Sequence, residues 1–229
     1  MDSHQFHPAS HNKTPRDIVI LGAGGYAREV ASVIKAINLV SPYSWNFLGY
    51  WGTKNDPIGT LLNGYPILDS SQIVPRAQDL YVIAAIGDPH IRERAVHEAE
   101  LANCKFATLI HPSAKIMDEE TISIGPGTSI CADCILTVNI QIHAHVVVNL
   151  DCTIGHDCIL EDFVTLSPGC HLSGYTTIRR SAFLGIGAVT IEKREIGTSA
   201  KIGAGAVVIK DIPPNVTAVG IPAQVVRRD

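Results

Sequence analysis

The feature of this sequence that most restricts its fold is a repeat with a period of six residues in the C-terminal half. Stepping by six from Ile124 to Val208 visits fifteen positions, and fourteen of them are Ile, Leu or Val, the exception being Thr190. A helix would require apolar residues spaced by three and four, and an antiparallel sandwich would require alternation by two. A period of six is typical of a parallel β-helix, whose short strands form flat faces that meet at corners.

A second series of mostly small or β-branched residues lies four places after the aliphatic series, with Arg194 as its main break. Four cysteines belong to it: Cys134, Cys152, Cys158 and Cys170. We expect the aliphatic residues to fill the interior and these thiols to face inward at corners, where a thiol behaves as a compact hydrophobe. All six cysteines of the chain are expected to be free, and nothing near Cys104 or Cys131 marks either as reactive.

The N-terminal half has a different periodicity. The stretch "DIVILGAGG" reads as a strand and turn, followed by a helix in which Val30, Ile34 and Ile37 share one face. Two further apolar pieces, "WNFLGYW" and "LYVIAAIG", and the helical stretch "DPHIRERAVHEAELAN" complete the alternation. The sequence therefore predicts a small Rossmann-like parallel α/β domain over residues 16–105 and a β-helix domain with a C-terminal tail over residues 106–229.

Charge and hydropathy restrict the partners and the compartment. The net charge is −4, no run of Lys or Arg is present, and no apolar segment is long enough to span a bilayer. These features argue against nucleic acid or a membrane as the main partner. Residues 1–15 are polar and lack an apolar core, so they predict a disordered extension rather than a signal peptide, and a cytoplasmic protein is expected.

The glycine turn Gly22–Ala27 follows the first strand and opens the first helix. Its backbone N–H groups are suited to a diphosphate at the helix N-terminus. A nicotinamide cofactor would also need a carboxylate at the end of the second strand. This region reads "FLGYWGTKND", with no carboxylate at the strand end itself. We therefore favour the diphosphate of a substrate, while the alternative that these glycines only permit a tight turn stays open.

The stretch "NLDCTIGHDCILEDF" holds the candidate catalytic pair, His156 and Asp157. His156 falls two places after Ile154, a phase that should point outward, and Asp157 can hold the imidazole in one tautomer. A metal site and a Cys–His nucleophile are both disfavoured, because the flanking cysteines should face inward. For His143 and His145, a solvated or interface position is expected.

The motifs "VILGAGGYAREV", "AIGDPHIRERA", "LIHPSA", "IGHDC", "LSPGCHLSG", "FLGIGAV" and "VGIPAQVV" together resemble the bacterial sugar acetyltransferases of the PglD and NeuD type. The resemblance covers residues 17–227. It implies a left-handed β-helix, a homotrimer, and acetyl-CoA bound along the groove between adjacent prisms. By the "IGHDC" match, the family's general base falls on His156, and the acidic neighbour that raises its basicity falls on Asp157.

The resemblance also places the other contacts of the family on this chain. Acetyl-CoA contacts map to Gly174, Ile186 and Ala204. Nucleotide-sugar contacts map to Gly24, Gly25, Tyr26 and Gly87. Two positions depart from the pattern of relatives, because Gly52 and Thr53 replace an acidic pair after the second strand, and Thr165 replaces a second histidine.

The implied activity is acetyl-CoA-dependent N-acetylation of a nucleotide-linked amino sugar for glycan synthesis, with direct transfer from the thioester and no metal. Two alternatives remain open at the level of sequence. One is O-acetylation of a sugar hydroxyl, as in sialic-acid modification. The other is a non-catalytic trimeric scaffold whose glycine turn binds a nucleotide.

Overall fold

The computed structural model describes residues 14–53 and 56–228. The predicted disordered extension lies almost entirely outside the described residues. The chain folds into an N-terminal α/β part followed by a left-handed parallel β-helix, so the predicted fold class is confirmed. Within the described residues, no helix is both long and apolar enough to cross a membrane.

The α/β part is built on a six-stranded sheet with the order β3-β4-β2-β1-β5-β6. Its strands are β1 Arg16–Leu21, β2 Trp45–Trp51, β3 Leu61–Leu62, β4 Tyr65–Leu68, β5 Tyr81–Ala84 and β6 Lys105–Phe106. Its helices are α1 Gly25–Val40, α2 Ser70–Ile73, a 3-10 helix Val74–Asp79 and α3 Pro89–Leu101. The four pairs β1–β2, β1–β5, β2–β4 and β5–β6 are parallel, as predicted. The short antiparallel hairpin formed by β3 and β4 was not expected.

The central strand β1 is apolar along its length because both faces of the sheet are covered. Ile18 and Ile20 pack with α1, whereas Val19 and Leu21 pack on the opposite side with α3 residues such as Val96. This two-sided burial explains why the strand reads as a continuous hydrophobic run rather than an alternating one.

The β-helix has three faces. The first face contains β7 Leu109–Ile110, β10 Ser129–Ile130, β13 Val147–Val148, β16 Thr165–Leu166, β19 Phe183–Leu184, β22 Lys201–Ile202, β24 Val216–Val219 and β25 Gln224–Arg228. The second face contains β8 Lys115–Ile116, β11 Ile135–Leu136, β14 Thr153–Ile154, β17 His171–Leu172, β20 Val189–Thr190 and β23 Val207–Val208. The third face contains β9 Ser123–Ile124, β12 Gln141–Ile142, β15 Ile159–Leu160, β18 Thr177–Ile178 and β21 Glu195–Ile196. From β9 to β23, paired strands are eighteen residues apart, as Ser129 and Val147 are, whereas β7 and β8 pair at a spacing of twenty and β22 with β24 at sixteen.

The interior of the prism follows the predicted repeat. The aliphatic positions from Ile130 to Val208 are almost fully buried, and the four corner cysteines are completely buried. Thr190, the exception in the repeat, also faces inward, where its hydroxyl lies 3.1 Å from the Thr176 hydroxyl and accepts from the Ser173 N–H. Burial of this polar position is therefore compensated by hydrogen bonds.

The α/β part packs against the first face of the prism. Outward-facing residues of that face are 2–3% exposed in three successive coils, at Ser129, Val147 and Thr165. One coil further on, Phe183 is only partly buried, and Lys201 in the next coil is exposed. The docked α/β part thus covers the first half of this face and leaves the second and third faces uncovered in the single chain.

Candidate active site

His156 and Asp157 lie at the corner between the second and third faces, which we call the histidine corner (residues 155–158 and the equivalent turns 173–176 and 191–194). The His156 Nδ1 lies 2.8 Å from Asp157 Oδ2. Because a carboxylate only accepts, Nδ1 is the donor, and in the neutral imidazole the lone pair is on Nε2. The His156 side chain is 53% exposed, so it points outward, as predicted, with a basic nitrogen available to a ligand.

The backbone holds this pair in place. Asp157 has φ +59°, a left-handed conformation that Asp adopts at low cost, and its N–H donates to the Val138 carbonyl in the coil below. The His156 carbonyl accepts from the Tyr175 N–H in the coil above. Both residues are therefore fixed by neighbouring coils rather than carried on a loose loop.

Gly174, in the same coil above as Tyr175, faces the imidazole ring of His156. A Cβ at this position would stand 2.5 Å from both Cε1 and Nε2 of His156, so no larger residue fits without displacing the ring. The Tyr175 ring meets the imidazole edge-on, with 5.1 Å between centroids. The structure thus brings the predicted cofactor residue Gly174 against the predicted base.

Ile186 and Ala204 lie at a different corner, the one between the first and second faces. They occupy successive coils, linked by the Gly205 N–H, which donates to the Ile186 carbonyl at 2.8 Å. Ile186 is 62% exposed and Ala204 is exposed as well. Within one chain, the three residues mapped to acetyl-CoA are therefore divided between two edges of the prism.

Gly24, Gly25, Tyr26 and Gly87 line one cleft of about 300 Å³ in the α/β part. Gly24 is the N-cap of α1 and offers no side-chain cap, so the first-turn N–H groups of the helix are left for a ligand. An added Cβ on Gly24 or Gly87 would meet no atom within 4 Å, which shows how open the cleft is at these points.

Tyr26 contributes to this cleft differently from the glycines. Its hydroxyl turns away into the contact with the β-helix and lies 2.7 Å from the Ser129 hydroxyl. Burial raises the pKa of Tyr26 well above its ordinary value, so the phenol stays neutral. The ring and the backbone of Tyr26 remain at the cleft, whereas the hydroxyl joins the two parts of the chain.

Asp56 is a cleft residue that the sequence reasoning missed. Its Oδ2 accepts from both the N–H and the hydroxyl of Thr53, at 2.7 and 2.9 Å, and both residues line the cleft. The carboxylate that seemed absent after the second strand is thus supplied five residues beyond Trp51. The signal in the sequence was the Thr-x-x-Asp spacing, which is typical of a turn closed by its own side chains.

The expectation of a solvated or interface position is wrong for His145. Its ring is 5% exposed and is held between Phe106, edge-on at 4.7 Å, and Phe163, stacked at 5.0 Å. Burial lowers the pKa of His145 to about 4. The residue does face away from the prism interior, as its phase requires, but the docked α/β part covers it.

The glycine cleft and His156 lie on opposite sides of the prism. The cleft belongs to the part that packs on the first face, and in a three-sided prism the histidine corner is the edge opposite that face. No single chain therefore brings the two together. Among the described residues, no group of three or more His, Cys, Asp or Glu side chains could hold a metal ion.

Comparison with known proteins agrees with this architecture. Residues 17–99 match the family model of the PglD N-terminal domain. The chain is 31% identical to the GDP-perosamine N-acetyltransferase of Escherichia coli O157:H7 over 221 residues, which cover 91% of this chain and 96% of that protein.

Two groups of solved structures are similar along almost the whole chain. The acetyltransferase domain of PglB from Neisseria gonorrhoeae FA1090, in complex with acetyl coenzyme A, has a TM-score of 0.81 at 29% identity and covers 93% of this chain and 100% of that one. PerB from Caulobacter crescentus, in complex with CoA and GDP-perosamine, has a TM-score of 0.80 at 28% identity and covers 91% and 96%. The chain belongs to the family of bacterial sugar acetyltransferases of the PglD and NeuD type.

Proposed function

We propose that this protein transfers the acetyl group of acetyl-CoA to the amino group of a nucleotide-linked sugar. The observation that carries the proposal is the His156–Asp157 pair, which holds Nδ1 against the carboxylate and presents Nε2 at an exposed corner beside a glycine. A corner with a purely structural role in a β-helix would not need an exposed, hydrogen-bonded His–Asp pair. Two of the named relatives, a GDP-perosamine N-acetyltransferase and PerB in complex with CoA and GDP-perosamine, support an amine as the acceptor.

In the proposed reaction the sugar amine attacks the thioester carbonyl of acetyl-CoA directly. His156 Nε2 takes a proton from the attacking nitrogen, the tetrahedral intermediate collapses, and the CoA sulfur leaves with a proton as the free thiol. The Gly174 N–H has no hydrogen-bond partner among the described residues, so it is free to donate to the developing oxyanion. Cys152 and Cys158 are 0% exposed, which speaks against an acyl-cysteine intermediate at this corner.

The nucleotide of the substrate is assigned to the glycine cleft. The first turn of α1 would receive the diphosphate, and Asp56 at the rim can accept hydrogen bonds from ribose or base. No redox role is needed in this arrangement, because the sugar nucleotide itself supplies the diphosphate.

The homotrimer follows from the separation of the two half-sites. A cyclic trimer in which the histidine corner of one prism approaches the cleft of the next would complete three equivalent sites. It would also place the exposed Ile186 and Ala204 in the groove between prisms, where they can contact acetyl-CoA. We further propose a cytoplasmic location, which is supported by the burial of five free thiols as packed side chains.

The two-chain site can be tested by mixing inactive subunits. His156→Ala removes the base, and Gly25→Glu places a negative side chain in the diphosphate cradle. Co-refolded mixtures of the two variants should regain activity, because some sites then combine an intact cleft with an intact histidine. Mixtures that stay as inactive as their parents would contradict a site shared between chains.

The activity itself is tested by mass spectrometry of products. The purified protein and acetyl-CoA are incubated with GDP-, UDP- and dTDP-linked amino sugars, and with matched sugars that carry a hydroxyl in place of the amine. We expect one acetyl group on an amino sugar only. Acetylation of the hydroxyl analogues would establish the O-acetyl alternative, and failure to bind acetyl-CoA in a calorimetric titration would favour a non-catalytic scaffold.

A further inference from the structure

A completely buried arginine joins the glycine cleft to the β-helix. Arg92, on α3, is 0% exposed, and every nitrogen of its guanidinium donates to an oxygen: Nη1 within the α/β part, and Nε and Nη2 across the junction to the β-helix. The acceptors are the carbonyls of Ile86 (2.6 Å) and Gly87 (3.2 Å), the carbonyls of His145 (3.0 Å), Phe163 (2.6 Å) and Val164 (3.2 Å), and the Thr165 hydroxyl (3.0 Å). One side chain thus bridges a wall of the cleft and two coils of the prism.

The guanidinium of Arg92 donates hydrogen bonds only to neutral oxygens, and Asp88 acts on its charge without touching it. Within residues 14–53 and 56–228, no carboxylate lies at ion-pair distance from it. Burial lowers its pKa to about 10, so the side chain is still cationic at neutral pH. A buried cation without a counterion in contact is costly, and its field favours an anion bound on the other side of the Ile86–Gly87 wall.

The Ile86–Gly87 wall of the cleft has a second contact with the β-helix, in addition to Arg92. The Thr165 hydroxyl donates to the Gly87 carbonyl at 2.9 Å, so Gly87 is fixed from the first face of the prism as well as from α3. Phe163–Thr165 follow the histidine corner after one face of the prism, β15, which is about a third of a coil. The position of the cleft wall is therefore tied to the same coils that carry the candidate base.

We propose that Arg92, assisted by Thr165, is a positioning residue for the nucleotide sugar. It holds the Ile86–Gly87 wall in the shape that receives the diphosphate, and its buried charge strengthens the binding of that anion. This inference rests on the proposed function in that the ligand of the cleft is a nucleoside diphosphate. Acetyl-CoA binding, which is assigned to other edges of the prism, should not depend on Arg92.

The test compares three variants by calorimetry with GDP, UDP, dTDP and acetyl-CoA as probes. Arg92→Lys keeps the charge but loses the fork of donors, and Thr165→Val removes only the second contact with Gly87. Arg180→Lys is the matched control, because Arg180 also bridges the two parts, through Glu93 and Asp162, without touching the cleft. The melting temperature of each variant is measured alongside.

We expect the nucleotide bound by the wild type to bind about tenfold more weakly to Arg92→Lys and about threefold more weakly to Thr165→Val. Arg180→Lys should bind it normally, and all three variants should bind acetyl-CoA normally. Unchanged nucleotide affinity in Thr165→Val and in folded Arg92→Lys, or an equal loss in Arg180→Lys, would overturn the inference. So would a wild type that binds none of GDP, UDP and dTDP.

The outcomes separate this inference from the proposed function. A wild type that binds a nucleotide but acetylates no sugar would refute the proposed activity, while the affinity series would still decide the role of Arg92. With an active wild type, Arg92→Lys and Thr165→Val should raise the KM for the nucleotide sugar, and Arg180→Lys should leave it unchanged. Merely unstable variants would instead show a lower maximal rate with an unchanged KM, which would contradict the positioning role.

Discussion

Adding one methyl group at Gly174 should remove most of the activity without unfolding the protein. A Cβ there would lie 2.5 Å from the Nε2 and Cε1 of His156 and 2.9 Å from its Nδ1. Carbon atoms in favourable contact are about 3.5 Å apart, so the ring would have to move by about 1 Å. A displacement of about 1 Å at a reacting group can cost about 100-fold in rate.

The assay for Gly174→Ala is the steady-state rate with saturating acetyl-CoA and nucleotide sugar. Gly174 does not have a positive φ, so the backbone accepts alanine, and the melting temperature should stay close to that of the wild type. We expect kcat to fall by about 100-fold.

A double variant shows whether the methyl group acts through the imidazole. If it does, Gly174→Ala combined with His156→Ala should be no slower than His156→Ala alone, because the shared target is already lost. A folded Gly174→Ala protein with near-normal kcat would refute the idea that the observed position of the ring is required.

Three further predictions follow from the same geometry. Asp157→Asn keeps a residue that tolerates the left-handed turn but removes the carboxylate that fixes the His156 tautomer, so kcat should fall at least tenfold in stopped assays with little change in KM. His145, with a pKa of about 4 in the folded state, takes up a proton more readily when unfolded, so stability should be lost as pH falls from about 6.5 towards 4. The melting temperature should depend less steeply on pH over this range in His145→Asn than in the wild type. An equal pH dependence would argue against the buried imidazole as the cause. Five of the six thiols are at most 1% exposed, and burial also raises the pKa of Cys131 to about 12 and of Cys158 to about 11, so a maleimide at neutral pH should label at most Cys104 before denaturation, as read by mass spectrometry.

The repeat made the β-helix predictable, because burial in a prism depends on phase alone. An aliphatic residue every six positions and a small residue four places later leave one arrangement in which both are inside. The same phase assigned His156 to the exterior, where the structure has it. Even Thr190, which breaks the chemical pattern, keeps its inward phase, with Thr176 as a partner.

The junction between the two parts was not predictable in this way. The position of His145 and Thr165 in the repeat indicates only that they face away from the interior. Their burial depends on the packing of the α/β part against the prism, in which Arg92, more than fifty residues earlier in the chain, contacts both. Arg92 reads as an ordinary helical arginine until its acceptors on the prism are known. Asp56 was not predictable from the end of the strand, because it lies five residues beyond Trp51 and reaches the cleft through the turn that its carboxylate closes on Thr53.

Whether His156 is the base that activates the sugar amine can be decided by single-turnover kinetics. The transfer from acetyl-CoA to a nucleotide amino sugar is measured for the wild type and for His156→Ala. We expect the rate of the variant to fall by at least about 100-fold, while calorimetry shows acetyl-CoA affinity close to that of the wild type. A folded His156→Ala protein that transfers acetyl at a near-normal rate would contradict the account.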